Sequence, residues 1–390
     1  MDSSTGGAAS YLYEYRGLGE QPIACVAQTD QEQNQAFFRC AKWSPDGTTV
    51  ATSSGDNALR LYNLSAAVMR FADHAEQKSE MCAPEVVVPH GETLLDYAWY
   101  PYMNQHDPAT CCLVESMRDH PIQLRDSTSG GADSVRASYV AYDAKDVLMS
   151  ASAVAFSADG ASVLAGYAHH IARFDVQRPG LPVDLATTSP SRRSRDGMKG
   201  IVSCVAPPLG AAPSQTVACA SFSGQLGLFH ATGGLGSIAV WRVPEEYRGC
   251  GVTELRWAPN GVNLWAASRQ SQYIVAWDVR DVRGPCAVLR RPCSTQQRMG
   301  FDFDSTGRHL VAGEMDGHVS IHDTTALDDA RPVARLAAHG DLVAAVSTHP
   351  YYPLLATASG QRHFGDAHDD APARPDHSLR IWSVPAGYIS

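Results

Sequence analysis

Two glutamine–arginine pairs carry the most suggestive chemistry in the chain: Gln297-Arg298 in QQRMG, and Gln361-Arg362, followed by His363, in SGQRHF. A guanidinium forks onto a phosphate or the edge of a guanine, and the adjacent carboxamide offers a donor and an acceptor to a base. Such pairs suit the reading of a nucleic-acid loop. The competing roles are structural: Arg298 would pair with a carboxylate such as Glu314, and Arg362 would brace its own loop.

Catalytic chemistry has no comparable foothold. The chain contains no GxSxG, HExxH, GxxxxGK or EF-hand loop, each of which needs its residues on one particular turn or helix. GLGSIA (234–239) fits GxGxxA on paper, yet it does not open a helix after a parallel strand and reads as a turn entering a strand. His90 and His339, each followed by glycine just before a strand, read as buried hydrogen-bonding groups that tie strands together. Asp56, Asp119, Asp316 and Asp376 sit at second turns of repeats and read as turn formers. The ten cysteines are scattered without a CxxC, so reduced, mostly buried thiols are expected. No catalytic residue, metal or cofactor is expected.

The formal net charge of -10 excludes a protein that coats nucleic acid indiscriminately, so a nucleic-acid site must be a local patch. MDSSTGGAAS lacks the basic and apolar regions of a secretory leader, and no apolar run approaches the ~18 residues of a membrane span. An intracellular, soluble protein is expected.

The elements that must position these residues repeat. CAKWSPDGTTVATSSGDNALRLYNL (40–64) reads as strand, SPDG turn, strand, GDN turn and strand. The layout recurs at 154–176, 255–279 and 301–323, and in degraded form three more times. Trp43, Trp99, Phe156, Val205, Trp257, Phe303 and Thr348 mark the first turns, and their spacing of about 45–57 residues suits a four-stranded blade with its connections. Seven units predict an all-β chain, a seven-bladed WD40 β-propeller, in which each blade buries its faces on its neighbours. Trp43 and Trp257 should be buried between blades.

The last unit supplies three strands, so QPIACVAQ (21–28) is expected to be its fourth, closing a propeller over 20–385. Residues 1–19 are expected to be a flexible tail, 178–199 and 360–377 mobile loop insertions, and Ala66–His74 a short helix.

Propeller connectivity sorts residues by face. With the SPDG-type turns on one rim, the chain entering each first strand and each second turn lie on the other. That rim collects Phe38 and Arg39 from the first unit, and Arg118 and His120 from the second. His169, His170, Lys199, Phe222 and Arg269 follow around the ring, then Arg298, Arg362 and His363. Cations for phosphates and planar groups for unstacked bases are what a single-stranded nucleic acid requires. Blades six, seven and one adjoin, so RNA is expected across them, with Lys199 and Arg269 on flanking phosphates. A protein-interaction scaffold, holding peptides on the same rim, is the alternative.

ETLLDYAWYPYM (92–103), QRPG (177–180), GIVSC (200–204), QRMGFDFDSTGRHLVAGEMDGHVSIHD (297–323) and HPYYPLLATASGQRHF (349–364) add a family likeness. With the opening repeat they resemble, in order over about 37–382, the telomerase Cajal body protein family, WD-repeat proteins that bind small Cajal body RNAs. The resemblance implies a non-enzymatic RNA-binding factor that recognises the CAB-box loop of small Cajal body RNAs and telomerase RNA. It implies delivery of H/ACA-type ribonucleoproteins to Cajal bodies and support of telomerase assembly. Implied partners are the H/ACA core proteins, the telomerase reverse transcriptase complex and, for folding, the eukaryotic chaperonin. The implied location is the nucleus and its Cajal bodies, with the cytoplasm as a second compartment and no membrane.

Overall fold

In the computed structural model the described residues are 11–13, 22–27, 37–72, 80–191, 193–194, 196–208, 216–325, 331–363, 376–384 and 386–388. The opening repeat folds as its turn chemistry dictates. In the SPDG turn the Gly47 amide donates to Ser44 O, and Asp46 Oδ1 accepts from the Ser44 hydroxyl and the Thr48 amide. Gly47 holds φ +73°, a conformation that costs glycine nothing. Gly160, Gly261 and Gly307 repeat it at φ +68° to +72° in blades three, five and six.

Blade one pairs Phe38–Trp43, Thr49–Ser54, Ala58–Asn63 and Val86–Pro89, all antiparallel. Six further sheets follow, with first strands Leu94–Trp99, Ala153–Phe156, Val202–Ala206, Val252–Trp257, Phe301–Phe303 and Val343–Thr348. First strands of neighbouring blades pack around the centre, blade seven against blade one included. The chain is a seven-bladed β-propeller.

Blade seven takes its fourth strand from before the first repeat. Ala24–Ala27 pairs antiparallel with Ser378–Ser383, Ala24 opposite Ile381 and Ala27 opposite Ser378. Glu80–Met81 adds a parallel strand on its far side, so that edge is covered too. Residues 21 and 28 lie outside the described residues.

Trp43 and Trp257 are 6 % and 4 % exposed. Trp257 Nε1 donates to Ala206 O of blade four, and Trp99 Nε1 to Lys42 O of blade one. Trp43 meets the His349 ring of blade seven edge-on at 4.8 Å, while His349 Nε2 donates to Gly47 O at 2.9 Å. These contacts lock blades to one another around the ring.

His339 is a buried strand tie. Its Nε2 lies 2.7 Å from Thr357 Oγ1, which also accepts from Trp382 Nε1, and its other nitrogen faces Ser378 and Asp376. Blade two rebuilds the arrangement with charges: His90 lies 3.3 Å from Glu115, which accepts from Arg125 Nε at 2.6 Å.

Several expectations need correction. Residues 178–199 are not a free insertion, because Asp184–Thr187 is the outer strand of blade three, paired with His170–Asp175. Thr188 and Met198 are buried and close the neck of what remains. Four alternating residues among Pro, Ser and Arg give too short a periodicity to read. Within 1–19, Tyr11–Tyr13 pairs with Ala386–Tyr388, an edge contact absent from the tail reading. Most of that segment, and 364–375 of the second insertion, lie outside the described residues. The short helix spans Ser65–Ala72, capped where Asn63 Oδ1 accepts from the Ser65 amide.

None of the nine described cysteines is joined to another by a disulfide, and no group of His, Cys, Asp and Glu among the described residues is arranged to hold a metal. No described helix is long and apolar enough to cross a membrane.

Candidate nucleic-acid interface

The first strands do more than fill the centre. Five of them carry a bulge at their second or third residue, with register shifts between Phe38 and Cys40, Leu94 and Asp96, Val202 and Cys204, Val252 and Glu254, and Val343 and Ala345. A bulge re-aims side chains. In blade one the extra residue is Arg39. Second turns meet the chain entering first strands by a recurring bond: Gly55 to Phe37 O, Arg118 to Thr93 O, Phe222 to Ile201 O, Arg269 to Gly251 O and Gly360 to Leu342 O. In these five blades the second turn and the entering chain thereby sit together on the rim opposite the SPDG-type turns.

Arg39 and Arg362 share a sector of it. The Arg39 guanidinium lies 5.6 Å from the Phe37 ring centroid. Burial lowers its pKa, Asp56 opposes that shift, and Arg362 of blade seven adds to it by like-charge repulsion. Arg362 is exposed, and on either side of it Gln361 Nε2 donates to Asp341 Oδ1 at 2.8 Å and His363 Nε2 to Asp341 Oδ2 at 2.6 Å. Gln297 Nε2 donates to Gly360 O at 2.9 Å, tying the chain entering blade six to blade seven. Beside these groups lies a cleft of about 410 Å³ lined by Phe37, Arg39, Gln296, Gln297 and Arg298.

Phe38 does not belong to this surface. It is wholly buried in the core between blades seven and one, and the rim aromatic is Phe37, which carries Arg39 on its ring. No sequence signal separates two adjacent phenylalanines without the bulge.

Arg298 turns inward. It donates through Nε to Glu254 Oε2 at 2.8 Å and lies 3.7 Å from Asp96, with 29 % of its side chain reached by water. The chain of charges continues from Asp96 to Lys42 at 3.2 Å, and from Glu254 through Arg256 to Asp302 at 3.2 and 3.1 Å. Burial opposes ionisation of Asp96, but Lys42 and Arg298 outweigh it and hold the carboxyl below its ordinary value. Burial likewise opposes Glu254, and Arg298 and Arg256 win. Arg298 itself is driven well above its usual value by Glu254 and Asp96, against its own burial. A carboxylate partner is therefore real, but it is not Glu314, which pairs with Arg335.

The remaining residues form a second cluster and an outlier. Arg269 stacks on Phe222 at 4.6 Å and donates through Nε to Cys250 O. Lys199 Nζ donates to Ser189 Oγ at 2.7 Å and Ser191 O at 2.6 Å. Arg118 is exposed on blade two, beside His120, whose Nδ1 bonds Arg118 O. On the opposite rim the channel opens into a cleft of about 680 Å³ lined by the turn residues Pro45, Pro101, Pro207, Pro259 and Pro350. Its walls come from six first turns far apart in the chain and from Val154 and Ala155 of blade three, so no local stretch of sequence marks that mouth.

The WD domain, G-beta repeat family matches residues 25–63. Telomerase Cajal body protein 1 of Bos taurus is 34 % identical over 348 residues, covering 88 % of this chain and 61 % of the relative. The homolog of Drosophila melanogaster is 31 % identical, with 87 % of this chain and 59 % of the relative covered. The chain belongs to the telomerase Cajal body protein family. It spans about three fifths of the length of these curated relatives. A further relative, Guanine nucleotide-binding protein negative regulator 1 of Schizosaccharomyces pombe, is 30 % identical over 289 residues, covering 73 % of this chain and 69 % of its own.

Proposed function

We propose that this chain is a non-enzymatic RNA-binding WD-repeat protein that takes the CAB-box loop of small Cajal body RNAs and telomerase RNA on the rim of blades six, seven and one. The reading is carried by the Arg39 guanidinium, held 5.6 Å from the Phe37 ring in the wall of the rim cleft, with the exposed Arg362 in the same sector. A phosphate meets these cations while a base stacks beside the Arg39–Phe37 pair. Gln297 forms part of the cleft wall, Gln361 and His363 hold the chain on either side of Arg362 through Asp341, and Lys199, Arg269 and Arg118 meet flanking phosphates. Arg298 acts from below, keeping the channel rigid.

The relatives' printed name ties them to telomerase and the Cajal body. Extended to this chain, it supports action beside H/ACA core proteins and the telomerase reverse transcriptase complex in the nucleus and its Cajal bodies. The cytoplasm is where the chaperonin would fold the ring. Filter binding of a CAB-box hairpin tests the reading: the logarithm of affinity should fall with the logarithm of salt with a slope of about −2 or steeper. Absence of binding at low salt removes it.

A second reading, a protein-interaction scaffold, is favoured by the Schizosaccharomyces pombe relative, whose name describes a negative regulator of a guanine nucleotide-binding protein. Under it the arginine rim meets acidic peptide, and the hairpin does not bind.

A further inference from the structure

The chain has two Ser-Pro steps, Ser44-Pro45 and Ser189-Pro190. Ser44 is wholly buried in its turn. Ser189 is half-buried in a surface loop, with Pro190, Ser191 and Arg193 exposed around it. The neck of that loop is fixed: the Met198 amide donates to Thr188 O at 2.8 Å, and Thr188 Oγ1 to Met198 O at 2.7 Å. Across the neck Lys199 Nζ lies 2.7 Å from Ser189 Oγ, so the hydroxyl already rests on an ammonium.

We propose that Ser189 is a phosphorylation site for a proline-directed kinase and that Lys199 captures the phosphate. In the transfer Ser189 Oγ forms a bond to the γ-phosphorus of ATP. The bond from that phosphorus to the bridging oxygen breaks, ADP leaves, and the hydroxyl proton passes to the kinase's catalytic carboxylate. The product carries a charge of about −1.5 to −2 and three acceptor oxygens, and an ion pair replaces the hydroxyl hydrogen bond at Lys199. The change spends a rim cation and adds negative charge beside it. Resting on the RNA reading of the rim, the modification acts as an off-switch for binding there.

The test treats the folded chain with Mg-ATP and a cyclin-dependent kinase. Mass spectrometry should find phosphate at Ser189 in the wild type and none there in Ser189→Ala. By phosphorus NMR the second pKa of the phosphoserine, about 6 when unperturbed, should lie lower in the wild type than in a phosphorylated Lys199→Met variant. Phosphorylation should weaken binding of a CAB-box hairpin at least about fivefold at ~0.1 M salt. Absence of phosphate at Ser189, or equal phosphate pKa values in the two proteins, overturns the proposal. Should the unmodified chain bind no hairpin, the RNA reading fails alone, and a lowered phosphate pKa still establishes the site and its capture.

Discussion

Arg298 donates to Glu254 across the channel at 2.8 Å, joining the chain that enters blade six to the first strand of blade five. Asp96 of blade two lies on its other side, so one guanidinium ties three blades. Removing it leaves Asp96 with Lys42 alone and Glu254 with Arg256 alone to balance their charge. Arg298→Met should cost about 2–3 kcal/mol, less than a fully buried pair because water reaches the group. Adding Glu254→Gln should recover part of the loss in a denaturant-unfolding cycle; an additive double variant would count against the coupling.

Acid should weaken the same cluster. Asp96 and Glu254 have folded pKa values below their unfolded ones, so their pairs stabilise fully above the ordinary carboxylate range, about pH 4–5. That contribution is lost as pH falls through the lower folded values. The melting-temperature gap between wild type and Arg298→Met should therefore narrow below about pH 4.

Buried histidines act at higher pH. Burial lowers His339, and lowers His349 and His322 to about 4. The unfolded chain takes up protons at these groups below about pH 6.5, while the folded chain resists. Stability should fall from pH 7 toward pH 4, and His349→Gln, judged by the slope of melting temperature against pH, should fall less steeply.

Closure and anchoring give two further outcomes. Deleting residues 1–30 removes the strand paired with Ser378–Ser383 and should abolish soluble, cooperatively melting protein. Trp257→Ala empties a site that is 4 % exposed and breaks a bond to blade four, so it should cost about 3–5 kcal/mol by chemical unfolding.

What the sequence disclosed follows from locality. The blades were legible because each needs a local turn, and Gly47 with Asp46 writes that turn into four residues. His339 and Trp257 were legible as structural groups from their place in the repeat. The partners of Arg298 were not: Asp96 lies some 200 residues away in the chain, and only ring closure brings it near. The bulge that buries Phe38 and turns Arg39 outward is a one-residue shift with no compositional mark. The outer strand Asp184–Thr187 was hidden by its length.

The central claim is that Arg39 and Arg362 together receive RNA. Arg39→Gln with Arg362→Glu leaves the channel cluster intact, so its melting temperature should stay within about 2 °C of wild type. Titrated with a CAB-box hairpin, that variant should bind at least about tenfold more weakly and with a shallower salt dependence. Wild-type affinity and salt dependence in the well-folded variant would contradict the account.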